Sequence, residues 1–583
     1  MKLRSPRFVF ILVFCFSLFC LAAVNAFSLD REAFTFTSYD LTVRVEPEQQ
    51  RLGVRGKITL RNDSQTPQKT AVLQISSSLD WRSIMASGKP SQFVSQPYTS
   101  DIDHTGMLSE AIVTLPEAVA PKSTVDLDIA YEGVIVLDAT RLTRVGTPDD
   151  GAHSSDWDQI SPTFTAVRGA GYVAWYPIAT EAADLSEANN LFDVLGRWKT
   201  REAAASMKLS FDYAPLPSDA SPPVTLCGGD EKQGVTRGGS LVNPSPRCTY
   251  PILGFSVPAF VVAAYGVADR PAITVYSLPA NLTAAEAYAD ATEKTVPFIA
   301  DWFGTPQKKV ETADLADPNA APFESGSLLL TPLTRADPKL TGLAVVHQLT
   351  HAAFSSSRPW IDEGLAHFAQ ALYLERQSGR QTALDYMALH RAAFSSTEKQ
   401  TTAPRSEDEV NRSLVNTTDE NLYRSKAMCV WWMLRDMIGD QALKKALASY
   451  RREQDKEPSY LPRLIQAQTP KDLEWFFDDW VYRDHGLPDF KVESAFPRKT
   501  MTDVYLVTVT VGNVGAAGAE VPLTVKFAGG EVTQRIVVRG KSNAVIRVEI
   551  PKPPSEIVIN DGSVPESDTT NNIFKIQAGD VAK

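Results

Sequence analysis

The sequence predicts a multidomain α+β protein. A β-rich N-terminal domain spans 27–268, an α-rich domain 269–490, and a C-terminal β-sandwich of immunoglobulin-like size 491–583. Three observations predict it. Apolar residues alternate with period two near both ends of the chain, as half-buried strands require. In the middle they recur at helical spacing instead. The length of 583 residues exceeds what one hydrophobic core holds, at roughly 150 residues per domain, and an apolar fraction of 43% is ordinary for a globular protein.

Segment 1–26 comes first and stands apart. Lys2, Arg4 and Arg7 precede an apolar run from Phe8 to Ala23, and Val24-Asn25-Ala26 supplies small residues for cleavage. This reads as a secretory signal peptide, so the protein is expected to be secreted or periplasmic. An uncleaved anchor is the alternative, although the run is short of the roughly 20 apolar residues a span needs. Phe19 before Cys20 does not fit a lipoprotein-type site, and no later segment reaches spanning length. The whole chain carries a net charge of −11, and removing a segment that has three bases and no acid makes it more acidic. Nucleic acid is therefore excluded as a partner, because phosphate recognition needs clustered positive charge.

In the N-terminal domain Tyr39, Leu41, Val43 and Val45 alternate with polar residues, and Lys57-Ile58-Thr59-Leu60 begins a second run after turn-forming residues. The strand Val257–Ala263 closes this domain. Cys227 and Cys248 flank a polar, Gly-rich stretch, and export permits a disulfide between them. In the α-rich domain Leu365, Phe368, Ala369 and Leu372 form one helix face. Ala427, Val430, Trp431, Leu434 and Ile438 form another, stopped by Gly439. Cys429 lies in that second run as a small hydrophobe. Alternation returns in Tyr505/Val507/Val509/Val511 and in Leu523/Val525/Phe527 before Gly529-Gly530.

Only seven histidines occur, and two stand four apart in Val346-His347-Gln348-Leu349-Thr350-His351. On a helix that spacing places both imidazoles on one face, close enough to share a zinc ion. Trp360-Ile361-Asp362-Glu363-Gly364-Leu365 offers Glu363 at the start of the next helix as a third ligand. Two histidines and a carboxylate with one position open is a catalytic zinc layout. A pair of histidines satisfied within a core helix is the other reading.

These segments resemble the gluzincin metallopeptidases of the aminopeptidase N and leukotriene A hydrolase family, whose hallmark is H-E-x-x-H followed by W-x-x-E-G-x-A. Ala321-Pro322-Phe323-Glu324-Ser325 stands where that family carries G-A-M-E-N. Tyr423-Arg424-Ser425-Lys426-Ala427 is similar to its Y-E-K-G-A segment, and Leu473–Trp480 is similar to the close of its catalytic domain. The resemblance implies a saddle-like N-terminal β-domain and a thermolysin-like catalytic domain. It also implies one zinc ion per chain held by His347, His351 and Glu363. Tyr423 is implied as the oxyanion-stabilising hydroxyl, or else is an aromatic packed at a helix start. Glu324 is implied as the carboxylate that receives a peptide's free amine, or else is an exposed turn residue. His367 falls beside the site rather than among the ligands.

The chain departs from the pattern at Gln348, which stands where the general base belongs. An amide orients water but accepts no proton, and losing such a base costs about 10²–10⁴ in rate. Residues 352–362 also make a shorter link between His351 and Glu363 than the best-known aminopeptidases have, and the large helical C-terminal domain of many members has no counterpart in 491–583. The expected function is an exported zinc metallopeptidase-like protein that acts on or binds peptides or protein N-termini. The rival is a catalytically inactive, zinc-stabilised pseudoenzyme that binds peptides or a protein partner, and a metal-free scaffold is a third reading. No phosphate-binding loop, serine nucleophile elbow or C-x-x-C pair supports another chemistry.

Overall fold

A computed structural model of the chain describes residues 29–187, 190–213, 223–229, 231–233, 247–333, 338–399 and 413–576. The segment read as a signal peptide lies outside the described residues, as does most of the polar stretch between Cys227 and Cys248.

The N-terminal unit is built on an eight-stranded sheet with the strand Phe34–Glu46 inside it. That strand pairs antiparallel with Arg51–Asn62 and parallel with Ser206–Tyr213. Tyr39, Leu41, Val43 and Val45 all turn to the buried face, as their alternation requires. A three-stranded sheet of Gln68–Ser76, Met107–Val119 and Gln92–Thr99 adds Leu73, Ile75, Ala111 and Val113 to the same core. Where the chain leaves Arg51–Asn62, buried Asn62 donates through Nδ2 to the oxygens of Thr66 and Val119. Its own Oδ1 accepts from the Ser64 N–H, which stabilises the turn.

A smaller sheet, ordered Val224–Cys227, Phe260–Ala263, Phe164–Val167, Gln159–Ile160, connects this unit to the next. Leu226, Val261 and Ala263 from it pack against Tyr276, Ala313, Leu328 and Leu330. Cys227 is joined by a disulfide to Cys248, with Cα atoms 6.5 Å apart, and this links the small sheet to the strand Arg247–Tyr250 of the large one. Cys429 is buried and free.

The central unit opens at Gly266, slightly before the expected boundary, because the strand Gly266–Asp269 pairs with Ile273–Ser277. A four-residue strand next to a turn carries too little pattern to reveal which sheet it will join. The five strands run Gly266–Asp269, Ile273–Ser277, Val310–Asp314, Leu328–Thr331, Phe323–Ser325 across the sheet. The helices that pack on and beside it include α1 (Leu282–Phe303), α2 (Pro338–Ala353), α3 (Pro359–Ser378), α4 (Arg380–Lys399) and α5 (Ala427–Ile438). The α3 residues Leu365, Phe368, Ala369 and Leu372 are all buried. Helix α5 stops where expected. Gly439 has φ +82° and its N–H closes on the Arg435 oxygen.

Helices α3 and α5 meet closely. Trp360 stacks on Trp431 with ring centroids 5.1 Å apart and planes 9° from parallel, an arrangement worth about 0.5–1.5 kcal/mol beyond its buried area. A side chain at Gly364 would come within 2.7 Å of the Ala427 Cβ. Gly364 therefore lets the start of α3 approach the start of α5, and its neighbour Glu363 sits at that junction.

The C-terminal unit is a sandwich. One sheet is ordered Phe490–Lys499, Tyr505–Asn513, Ser542–Ile550. The other is ordered Gly530–Val538, Ala519–Phe527, Pro554–Ile559, Ile573–Lys575. Val507, Val509, Val511, Leu523 and Val525 fill the space between them, in a core continuous with that of the helices. The Trp480 indole donates to the Gly518 oxygen at 2.7 Å, and Asp479 accepts from the Gly518 N–H at 2.8 Å, so the sandwich is fastened to the central unit. Among the described residues no helix is long and apolar enough to cross a membrane.

Candidate metal centre

Helix α2 buries Val345, Val346 and Leu349, and this turns His347 and His351 toward a cavity of about 1220 Å³. The two Nε2 atoms are 3.1 Å apart. Glu363, in the first turns of α3, brings Oε2 to 3.8 Å from His347 Nε2 and Oε1 to 3.8 Å from His351 Nε2. From the opposite side the edge strand Phe323–Ser325 brings Glu324 Oε2 to 3.2 Å from His347 Nε2. Asp362 lies 3.5 Å from the other ring nitrogen of His351 and accepts from the Ser356 N–H at 2.7 Å. The structure thus gathers the four residues singled out as zinc ligands and amine-binding carboxylate, and adds Asp362 as the group that orients His351.

Imidazoles and carboxylates in this cluster shift one another. His351 is pushed up to about 10: burial favours its neutral form, but Asp362, Glu324 and Glu363 outweigh that effect. Burial would raise Glu324 and Glu363, yet both are held below the usual carboxylate range. His347 dominates that lowering at Glu324 and Arg424 at Glu363. One carboxylate and two imidazoles have ligating atoms within 4.8 Å of one another in the set Glu324, His347, His351. Glu363 is a second carboxylate within reach. Nitrogen and oxygen donors in this ratio suit zinc, so the residues present fit the metal that the sequence implies.

Gln348 lines the cavity, but its amide is engaged elsewhere. Nε2 donates to the backbone oxygens of Glu311 at 2.7 Å and Ser327 at 3.2 Å, and Oε1 accepts from the Thr312 hydroxyl. The side chain therefore ties α2 to the strand Val310–Asp314 and to the hairpin turn at Ser327. Tyr423 is buried beside the cavity. It belongs to the hydrophobic core, and burial foremost raises its hydroxyl far above its ordinary pKa. Arg424 takes the wall position instead, on a turn of π-helix at Asn421–Lys426. Sequence reasoning passed over Arg424, although a base where the resembling motif carries an acid was a visible signal.

His367 stands next to His347 with ring centroids 5.0 Å apart, and its Nδ1 is buried without a hydrogen-bond partner. Burial, reinforced by His347 and Arg424, pushes it well below its ordinary pKa. His390 continues the row at 5.1 Å and contacts the Ser425 hydroxyl.

The hairpin that carries Glu324 rests on the disulfide-bearing strand. Gly326 has φ +58°, and a side chain there would run into the backbone oxygen of Gly228. Next to it, Ser325 donates to the Val257 oxygen at 2.7 Å. Beyond this contact the cavity wall becomes apolar, with Leu185, Leu191, Phe192, Leu195, Ile252 and Phe255 facing in from the N-terminal unit.

No protein-family model matches the chain, and no curated protein matches it. Among solved structures it is similar to the M1 zinc metallopeptidase from Deinococcus radiodurans, at 17% identity and a TM-score of 0.46, over 76% of this chain and 92% of that one. A mutant of the same enzyme matches at 17% identity and a TM-score of 0.48, over 79% of this chain and 97% of that one.

Proposed function

We propose that this chain is an exported zinc-binding protein of metallopeptidase lineage that receives peptides in the cavity and hydrolyses them slowly or not at all. The convergence of His347 and His351 Nε2, 3.1 Å apart, with Glu363 3.8 Å from each is the observation that carries the reading. His347, His351 and Glu363 hold the metal, and Asp362 fixes the His351 ring. Bound zinc would supply a Lewis acid that polarises a carbonyl and lowers the pKa of water. Glu324 faces the cavity from the edge strand and is the carboxylate placed to receive a peptide's N-terminal amine. The apolar wall beyond it suits an uncharged side chain.

Slow hydrolysis follows from Gln348. No proton acceptor stands at that position, and the amide is committed to the carbonyls of Glu311 and Ser327. This commitment favours the binding role over rapid turnover. The test is metal content of the purified mature chain, followed by peptide binding and by turnover of N-terminal amino-acid amides. Stoichiometric zinc and saturable peptide binding with slow turnover support the reading. A zinc-replete preparation that holds no metal overturns it.

A further inference from the structure

Resting on the zinc reading, we propose that Arg424 stands in for the metal's charge in the zinc-free protein and thereby limits how tightly zinc is held. Its Nε lies 3.1 Å from Glu363 Oε2, the oxygen that faces His347, and its Nη1 lies 3.0 Å from Glu420 Oε2. One guanidinium thus bridges a candidate zinc ligand and a second carboxylate, both on the cavity wall.

The arrangement follows from charge. Glu324, Asp362, Glu363 and Glu420 all line one cavity, and such a group of acids repels itself unless a cation sits among them. Lys199 reaches Glu420 at 3.1 Å. Arg424 is the guanidinium that pairs with Glu363, alongside the two imidazoles. Zinc binding would place a divalent charge against the same carboxylate. Two cations on one carboxylate repel, and the hydrogen bond from Arg424 draws electron density from the donor oxygen. The guanidinium therefore competes with the metal. A carboxylate or carbonyl contacting a metal-bound histidine strengthens the site; a cation on the ligand works in the opposite direction. The π-helical turn makes this possible, because it buries Tyr423 and leaves Arg424 on the wall.

The experiment is zinc affinity by chelator competition, with melting temperature measured with and without zinc. Arg424→Gln is expected to bind zinc at least tenfold more tightly, to melt lower without zinc, and to gain more from zinc than the natural protein. Arg424→Lys should stay close to the natural protein. Lys199→Gln removes a positive charge from the same cavity without touching Glu363, and should change affinity less than threefold. Equal or weaker zinc binding by folded Arg424→Gln overturns the proposal and makes Arg424 a support that orients Glu363. Should that variant not fold, Glu420→Gln leaves the guanidinium wholly on Glu363 and must weaken zinc binding; unchanged binding overturns the proposal. Zinc bound by neither the natural protein nor Arg424→Gln removes the metal site itself, and this inference with it.

Discussion

Gln348 donates through Nε2 to the backbone oxygen of Glu311 at 2.7 Å. A glutamate there has no donor to offer, so Gln348→Glu leaves the Glu311 and Ser327 carbonyls without it. The expected loss is about 1–3 kcal/mol of stability, read from the urea midpoint. The same substitution supplies a proton acceptor on the cavity wall, and turnover of N-terminal amides should rise about 10²-fold. Lost stability without gained turnover, with zinc confirmed bound, would place the defect elsewhere in the cavity and favour a purely binding role.

Tyr423 gives a contrasting expectation. Its side chain is buried in the hydrophobic core beside the cavity, whereas an oxyanion donor contributes about 2.7–4 kcal/mol. Tyr423→Phe in the Gln348→Glu background should therefore keep turnover within about threefold. A loss on the hundredfold scale would mean that the tyrosine reaches the substrate after all.

Two carboxylates compete for the place of third ligand. Glu363 reaches both imidazoles, so Glu363→Gln should abolish stoichiometric zinc while Glu324→Gln retains it and weakens peptide binding. His351→Ala should lose the metal and His390→Ala should keep it. Elemental analysis after dialysis against a weak chelator separates the cases, and loss of zinc in Glu324→Gln alone would reverse the assignment.

A pH dependence of stability is expected at a buried ion pair of the N-terminal unit. His104 Nδ1 lies 2.8 Å from Asp156 Oδ2, both nearly inaccessible, and His104 is pushed up to about 9. Burial opposes the charge there, but Asp156, Asp103 and Asp158 outweigh it. The folded form therefore binds this proton more tightly than the unfolded chain. The stabilisation, about 3 kcal/mol in order of magnitude, is complete below pH 6.5 and disappears as pH rises through 9. Urea midpoints between pH 6 and 10 should fall, and in His104→Gln this slope should flatten. An unchanged slope would assign the effect to other groups.

Much of the architecture was legible because strands and helices with one buried face leave a period in the sequence. Tyr39 through Val45, Leu365 through Leu372 and the stop at Gly439 all follow that logic. The parallel pairing of Phe34–Glu46 with Ser206–Tyr213 left no such trace, because partners so far apart impose no local pattern. At the site, spacing and resemblance pointed to His347, His351, Glu363 and Glu324. The engagement of Gln348 with two carbonyls depends on how α2 meets the sheet, and the exchange of Tyr423 for Arg424 on the wall depends on one π-helical turn. Residue order shows the base at Arg424 but not where these side chains point.

The contact between Gly326 and Gly228 has a bearing on when the protein becomes competent. Gly228 follows Cys227 directly, so the strand backing Glu324 is anchored at its neighbouring residue by the covalent link to Cys248. In a reducing cytosol that link would not persist. Under the proposed export, the link forms in the oxidising compartment, and until then the backing of Glu324 rests on the remaining contacts alone.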